Sequence, residues 1–126
     1  MNDADIEIQQ EIRPVKAVYD YATLGAKTRM GGEIVTASTS LEIHDLRIAC
    51  VGDRVRYPDG KESEIVSGAG FAATYKGLPI AIVGSATDNG DTVISRLQNL
   101  DQVVEYADDE GILGLLQPGY RVESQM

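Results

Sequence analysis

Short apolar alternations cut by glycine, with no long periodic stretch, run along the chain from about residue 14 to residue 97. Three segments there share one pattern: Ala22-Thr23-Leu24-Gly25-Ala26-Lys27-Thr28, Ala49-Cys50-Val51-Gly52-Asp53-Arg54-Val55 and Ala81-Ile82-Val83-Gly84-Ser85-Ala86-Thr87. Each reads alanine, a variable residue, an aliphatic residue and glycine, then mostly polar positions ending in a β-branched one. A second element follows each copy: Glu33-Ile34-Val35-Thr36, Glu64-Ile65-Val66-Ser67 and Asp91-Thr92-Val93-Ile94-Ser95. A third lies between copies, where Leu41 to Ala49 parallels Ala73 to Ala81, with His44-Asp45 and Lys76-Gly77 where a two-residue hairpin turn belongs.

The unit this predicts is a strand, a tight turn, a returning strand, a glycine bend, a loop and the next strand. Such a unit cannot bury its apolar side alone, so copies must close on one another, and three copies predict an approximate three-fold axis. The adjacent pairs Ile34-Val35, Ile65-Val66 and Val93-Ile94 bear on function. Neighbouring strand residues face opposite sides, so one of each pair enters the core and the other needs a second apolar cover. That cover is either the same chain or a partner surface.

Helical signal is confined to Leu97 to Ala107, where Leu97, Leu100, Val103, Val104 and Ala107 fall at helix-like spacing. This predicts a C-terminal helix stopped near Gly111 and Gly114. Ile6 and Ile8 alternate with acids, like an edge strand or an arm. The expected organisation is an acidic arm (1–13), a mostly β domain (14–97) and an acidic extension (98–126).

Composition supports the β reading: thirteen glycines, six tyrosines, one phenylalanine and no tryptophan suit many turns around a core of small and β-branched residues. The net charge of −9 resides in the two ends, because acids and bases of residues 13–100 cancel. A neutral body with acidic ends does not match the basic face that nucleic acid requires. The ends read as solvated tails or as docking segments. Cys50 is the only cysteine, so no intrachain disulfide forms, which fits folding in a reducing cytoplasm. The start at Met1-Asn2-Asp3 carries no secretory signal pattern, and the longest apolar runs are far below bilayer length.

These segments resemble the PAAR family. Gly25 to Ser38 is similar to the family's opening Gly-Asp-x-Thr-Ser-His-Gly-Gly-x-Val-x-x-Gly-Ser, Ala49 to Val55 resembles Ala-Arg-Val-Gly-Asp-x-Val, and Ala81 to Thr87 resembles the third such element. Single pieces are common; three in order, joined by matching hairpins, are specific. The resemblance implies a small cone of β-hairpins with a pseudo-three-fold axis. Its broad base would sit on a trimeric β-helical spike of VgrG type, or its phage-tail counterpart, with effectors carried as cargo. It further implies assembly in the cytoplasm followed by injection, and no stable membrane association.

Family members commonly hold a tip zinc through histidines and a cysteine. Here those positions are Met30, the Tyr57-Pro58-Asp59-Gly60-Lys61 loop and Asn89, none offering the nitrogen or sulfur ligands of a structural zinc site. The expectation is therefore no cofactor, with Met30 as an apolar plug. His44 reads as a solvated turn residue and Cys50 as a plain thiol, so neither a metal pair nor a nucleophile–base pair is expected. Asp108-Asp109-Glu110 lacks spaced calcium ligands. Gly31-Gly32 and Gly68-Ala69-Gly70 are turn glycines outside any strand-to-helix junction, so phosphate binding is not expected. The function this predicts is a non-enzymatic spike tip, with Ile34, Val35, Ile65, Val66, Val93 and Ile94 as the partner-binding candidates. A free-standing β-barrel binding or adaptor module is the alternative of another class.

Overall fold

The computed structural model describes residues 14–95, 97–98, 102–107 and 110–122, and its organising feature is a triangle of backbone hydrogen bonds. Ala22 N–H donates to the Ala81 carbonyl (2.8 Å), Ala81 N–H to Ala49 (2.9 Å) and Ala49 N–H to Ala22 (3.0 Å). The flanking residues bridge in the same cycle: Thr23 with Ile48, Cys50 with Ile80, and Ile82 with Tyr21. All three alanines have no exposed surface. Three chain segments meet there, and a methyl is the side chain that leaves their backbones room to close. The neighbours Ile48, Cys50, Ile80 and Ile82 point the other way, into two further apolar clusters.

Each segment then bends at a glycine, at φ 90° (Gly25), 100° (Gly52) and 104° (Gly84), values that side chains disfavour. Past the bends lie strands β2 (Glu33–Ile34), β5 (Arg54–Arg56) and β6 (Glu62–Glu64), paired in the order β2-β5-β6, and then the aliphatic pairs of the second elements. Here too the contacts run in a cycle. Ile34 opposes Val55, Ile65 bridges Thr87, and Val93 bridges Thr28. Ile34, Ile65 and Val93 thus form a second ring that packs on the alanines in one cluster.

Hairpins lead into the triangle from the other end of each repeat. Strands β3 (Glu42–Ile43) and β4 (Leu46–Arg47) pair before Ala49, and β7 (Thr74–Tyr75) and β8 (Leu78–Pro79) pair before Ala81. Their turns have positive φ at His44 (51°), Asp45 (63°), Lys76 (52°) and Gly77 (83°), the two-residue geometry the sequence predicts. A 3₁₀ turn at Gly70–Ala72 precedes β7.

Among the described residues before Ala22 a single strand, β1 (Val15–Asp20), precedes the triangle, and its partner comes from the far end of the chain. That partner is β9 (Gln102–Tyr106), antiparallel, with Asp20 opposite Gln102 and Val18 opposite Val104. The carbonyls of Arg47, Pro79 and Asp20 accept Leu24, Val51 and Val83 N–H at 3.0, 2.9 and 2.9 Å, so β1 sits where β4 and β8 sit. Gln102 accordingly takes the place of Glu42 and Thr74. The third hairpin is split across the chain.

This corrects the expected C-terminal helix. Within Gln102–Tyr106 burial alternates, with Val103 and Glu105 inward, a period of two. Valine pairs and tyrosine favour a pleated surface, and an isolated helix of that length is marginal. The unpaired edge of β1 decides the outcome.

The described part of the C-terminal extension is packed, which rules out a solvated tail there. Phe71 N–H donates to Leu113 (2.8 Å), Leu116 N–H to Gly68 (2.7 Å), Gly119 N–H to Val66 (3.0 Å) and Val122 N–H to Gly77 (2.8 Å). Ile112, Leu115 and Leu116 cover the cluster of Ala69, Ile82 and Val103. A Cβ on Gly70 would lie 2.3 Å from the Leu113 carbonyl oxygen, so this approach requires glycine. Ile6, Ile8 and the acids of the first twelve residues lie outside the described residues.

Candidate functional site

Side chains at the glycine bends hold the repeats in shape. Asp53, directly after Gly52, is 1% exposed. Its carboxylate accepts Cys50 N–H (2.8 Å), Ser38 N–H (3.0 Å), the Ser38 hydroxyl (2.6 Å) and the Thr36 hydroxyl (2.9 Å). At the equivalent position Ser85 Oγ accepts Ile82 N–H at 3.0 Å. Ala26 stands at the third bend and supplies no such acceptor. The Val-Gly-Asp and Val-Gly-Ser segments carried this signal, read there only as polar positions.

The inward members of the partner-binding candidates are core residues: Ile34 is 1% exposed, and Ile65 and Val93 are fully buried. The outward members differ. Val35 and Val66 are half-buried, and Ile94 is 53% exposed. Val35, Val66 and Ile94 are also equivalent in the backbone, their N–H groups donating to Arg54, Ala86 and Lys27 at 2.9, 2.9 and 3.0 Å. Each follows its ring residue, Ile34, Ile65 or Val93, by one position along the chain. Gly119 N–H of the C-terminal extension donates to the Val66 carbonyl (3.0 Å), so one of the three outward sites is framed by the extension.

At the opposite end, three loops turn at equivalent places: Gly31 N–H donates to Thr28 (3.1 Å), Gly60 N–H to Tyr57 (2.9 Å) and Gly90 N–H to Thr87 (3.2 Å). Met30, Tyr57 and Asn89, from three different loops, do come together around one shallow cavity with Pro58, Asp59, Lys61 and Glu62. A thioether, a phenol and an amide do not fit a structural zinc ion, which takes thiolate, imidazole or carboxylate. Among the described residues no three His, Cys, Asp or Glu side chains converge as a metal-binding group. Met30 is 55% exposed, so it lines the cavity and does not plug the tip.

The loops instead share polar contacts. Tyr57 Oη donates to Asp91 Oδ2 (2.7 Å), lies 3.0 Å from Ser63 Oγ, and accepts from Asn89 Nδ2 (3.1 Å). Asp91 Oδ1 accepts Met30 N–H (3.0 Å) and Thr92 N–H (2.7 Å). Burial opposes the Asp91 charge most strongly, but hydrogen bonds from Thr28, Tyr57, Thr92 and Met30 together outweigh it and hold the carboxyl below the usual carboxylate range.

His44 is exposed in its turn, whereas Cys50 is fully buried. Burial, and then the Asp53 carboxylate, push the Cys50 thiol up to about 12, so it is neither nucleophile nor ligand at neutral pH. The native chain should therefore take up no thiol reagent at pH 8 over minutes, and one equivalent in denaturant. Labelling of the native protein at the denatured rate would contradict the burial of Cys50.

The model of the PAAR motif matches residues 24–95, more than half of the chain. The chain belongs to the PAAR family. That family is one of structural spike tips in contractile injection machines, and the β-rich, three-fold closed chain is consistent with a PAAR spike-tip protein. No curated protein matches the chain. Both strands of the split hairpin, β1 and β9, lie outside the matched residues 24–95. No helix among the described residues is long and apolar enough to cross a membrane.

Proposed function

We propose that this PAAR protein caps the trimeric spike of a type VI secretion system, a VgrG-type protein, as a non-enzymatic tip that sharpens it for puncture and offers attachment to effectors. The observation that supports this reading best is the cyclic backbone triangle of Ala22, Ala49 and Ala81, which gives one chain an approximate three-fold axis. A pseudo-three-fold monomer can offer three similar strand edges to three identical partner chains. Docking is by apolar contact through the outward residues Val35, Val66 and Ile94; each is already about half covered, so burying the rest contributes roughly 2–5 kcal/mol before association entropy. A non-catalytic role agrees with the exposed His44 and the buried, protonated Cys50.

Mixing the chain with a purified VgrG-type trimer should give one copy per trimer by mass photometry or native mass spectrometry. Replacing Val35, Val66 and Ile94 together by aspartate should weaken that complex at least about a hundredfold, because each desolvated carboxylate opposes burial. Unchanged affinity in a folded triple variant would move the docking surface elsewhere. Binding to a phage-tail spike and to no VgrG-type trimer would assign the protein to a phage-derived particle.

A further inference from the structure

The three tip loops come from different repeats, yet one carboxylate reaches all of them. Asp91 belongs to the third loop, accepts the Met30 N–H of the first, and accepts the Tyr57 hydroxyl of the second. It is 1% exposed although the three residues before it, Asp88, Asn89 and Gly90, are exposed. We propose that Asp91 is the keystone of the tip, tying the three loops around an anion in the way a structural cation would tie them around a metal.

The physical logic is the same with the sign reversed. A cation gathers lone pairs; the Asp91 carboxylate gathers N–H and O–H dipoles. Bonds to an ionised acceptor are stronger than neutral ones, and burial shields them from competing water. Tyr57 is the relay that extends the tie, since its hydroxyl also meets Ser63 Oγ on β6 and Asn89 in the third loop. Two of the four donors onto Asp91 are backbone N–H groups, which hold fixed positions. Residues at the family's ligand positions fit this arrangement: Tyr57 and Asn89 are members of the network, and Met30 contributes its backbone. This assignment stands whichever partner the broad end takes.

The tie is acid-sensitive. Asp91 has a folded pKa below its ordinary 3.8, so its contribution is present above that value and is lost as the pH falls through the lower folded one. The ionisable groups around it are Tyr57 directly, Asp59, Lys61 and Glu62 on the cavity wall, and Asp88, whose Oδ1 accepts Glu64 N–H.

The test uses the full chain, with thermal unfolding and amide exchange for wild type, Tyr57→Phe, Asp91→Ala and the double variant, each with a chelator or with added zinc. The keystone requires three results. Chelator and zinc leave the wild-type midpoint unchanged. Asp91→Ala accelerates exchange of the Met30 amide at least about tenfold, as local opening does when its protecting bond is lost. The double variant loses clearly less than the sum of the two single losses, because part of what the Tyr57 hydroxyl contributes passes through that carboxylate. A midpoint that zinc raises or chelation lowers, or losses that add in full, would overturn the proposal. If Asp91→Ala does not fold, Asp91→Asn and Tyr57→Phe provide the same comparison, since the amide keeps an oxygen for the two backbone donors. Stability of wild type should then fall more steeply below about pH 4 than that of Asp91→Asn, by the contribution of the Asp91 charge; parallel curves would also overturn it.

Discussion

Truncation after Gln98 should abolish cooperative folding. It removes β9 and leaves β1 with an open edge where the other two repeats have a complete hairpin. It also strips Val103, Ile112, Leu115 and Leu116 from the cluster around Ala69 and Ile82. Four such side chains, partly or fully buried, contribute about 4–8 kcal/mol, and a domain of this kind has about 5–15 kcal/mol in total. The loss is therefore most or all of the stability. Circular dichroism should show no sigmoidal melt for the truncated chain, and a peptide covering residues 99–126 added in trans should restore one. A truncated chain that melts cooperatively at the wild-type midpoint would show that the repeats close without the split hairpin.

The second large effect is expected at Asp53. Asp53→Ala leaves the buried Cys50 N–H, the Ser38 N–H and two hydroxyls without their acceptor. Removing a buried, multiply bonded carboxylate costs roughly 3–5 kcal/mol, or about 10–20 °C in melting midpoint for a chain of this size. Ser85→Ala, at the equivalent bend with a single backbone bond, should cost only about 1 kcal/mol. Urea denaturation of both variants measures the ratio. Equal losses would mean that the bend is held by its glycine geometry and not by the capping side chain.

Much of the fold was legible in the residues because closure imposes the same local demands three times. Alanine where backbones meet, glycine at the bend, an aliphatic pair beyond it and two turn residues in each hairpin are separate requirements, and Ala49, Gly52, Ile65-Val66 and His44-Asp45 meet them in turn. The C-terminal strand was not legible by periodicity. Leu97, Leu100, Val103, Val104 and Ala107 satisfy helical spacing by coincidence, and the partner that makes Gln102–Tyr106 a strand lies at the other end of the chain. A signal was nevertheless present: two copies are preceded by hairpins and the first by a single strand, which leaves a strand to be found elsewhere. At the candidate site the outward and inward members of each aliphatic pair could not be told apart from sequence, because alternation fixes opposition and not direction. The tip was half legible. Absence of zinc ligands at Met30, Tyr57 and Asn89 could be read directly, but the role of Asp91 depends on three loops meeting, which no local pattern encodes.

The split hairpin also bears on how the protein is made. As the chain leaves the ribosome, the hairpins before Ala49 and Ala81 are complete while the partner of β1 is still untranslated. Pairing of β1 with β9 is the longest-range strand pairing among the described residues, and contacts of that kind form slowly. Until then the first strand presents an open edge that invites pairing with other nascent chains. Synthesis on crowded polysomes is thus the moment of greatest hazard for this protein, and the release of its last strand is the step that ends it.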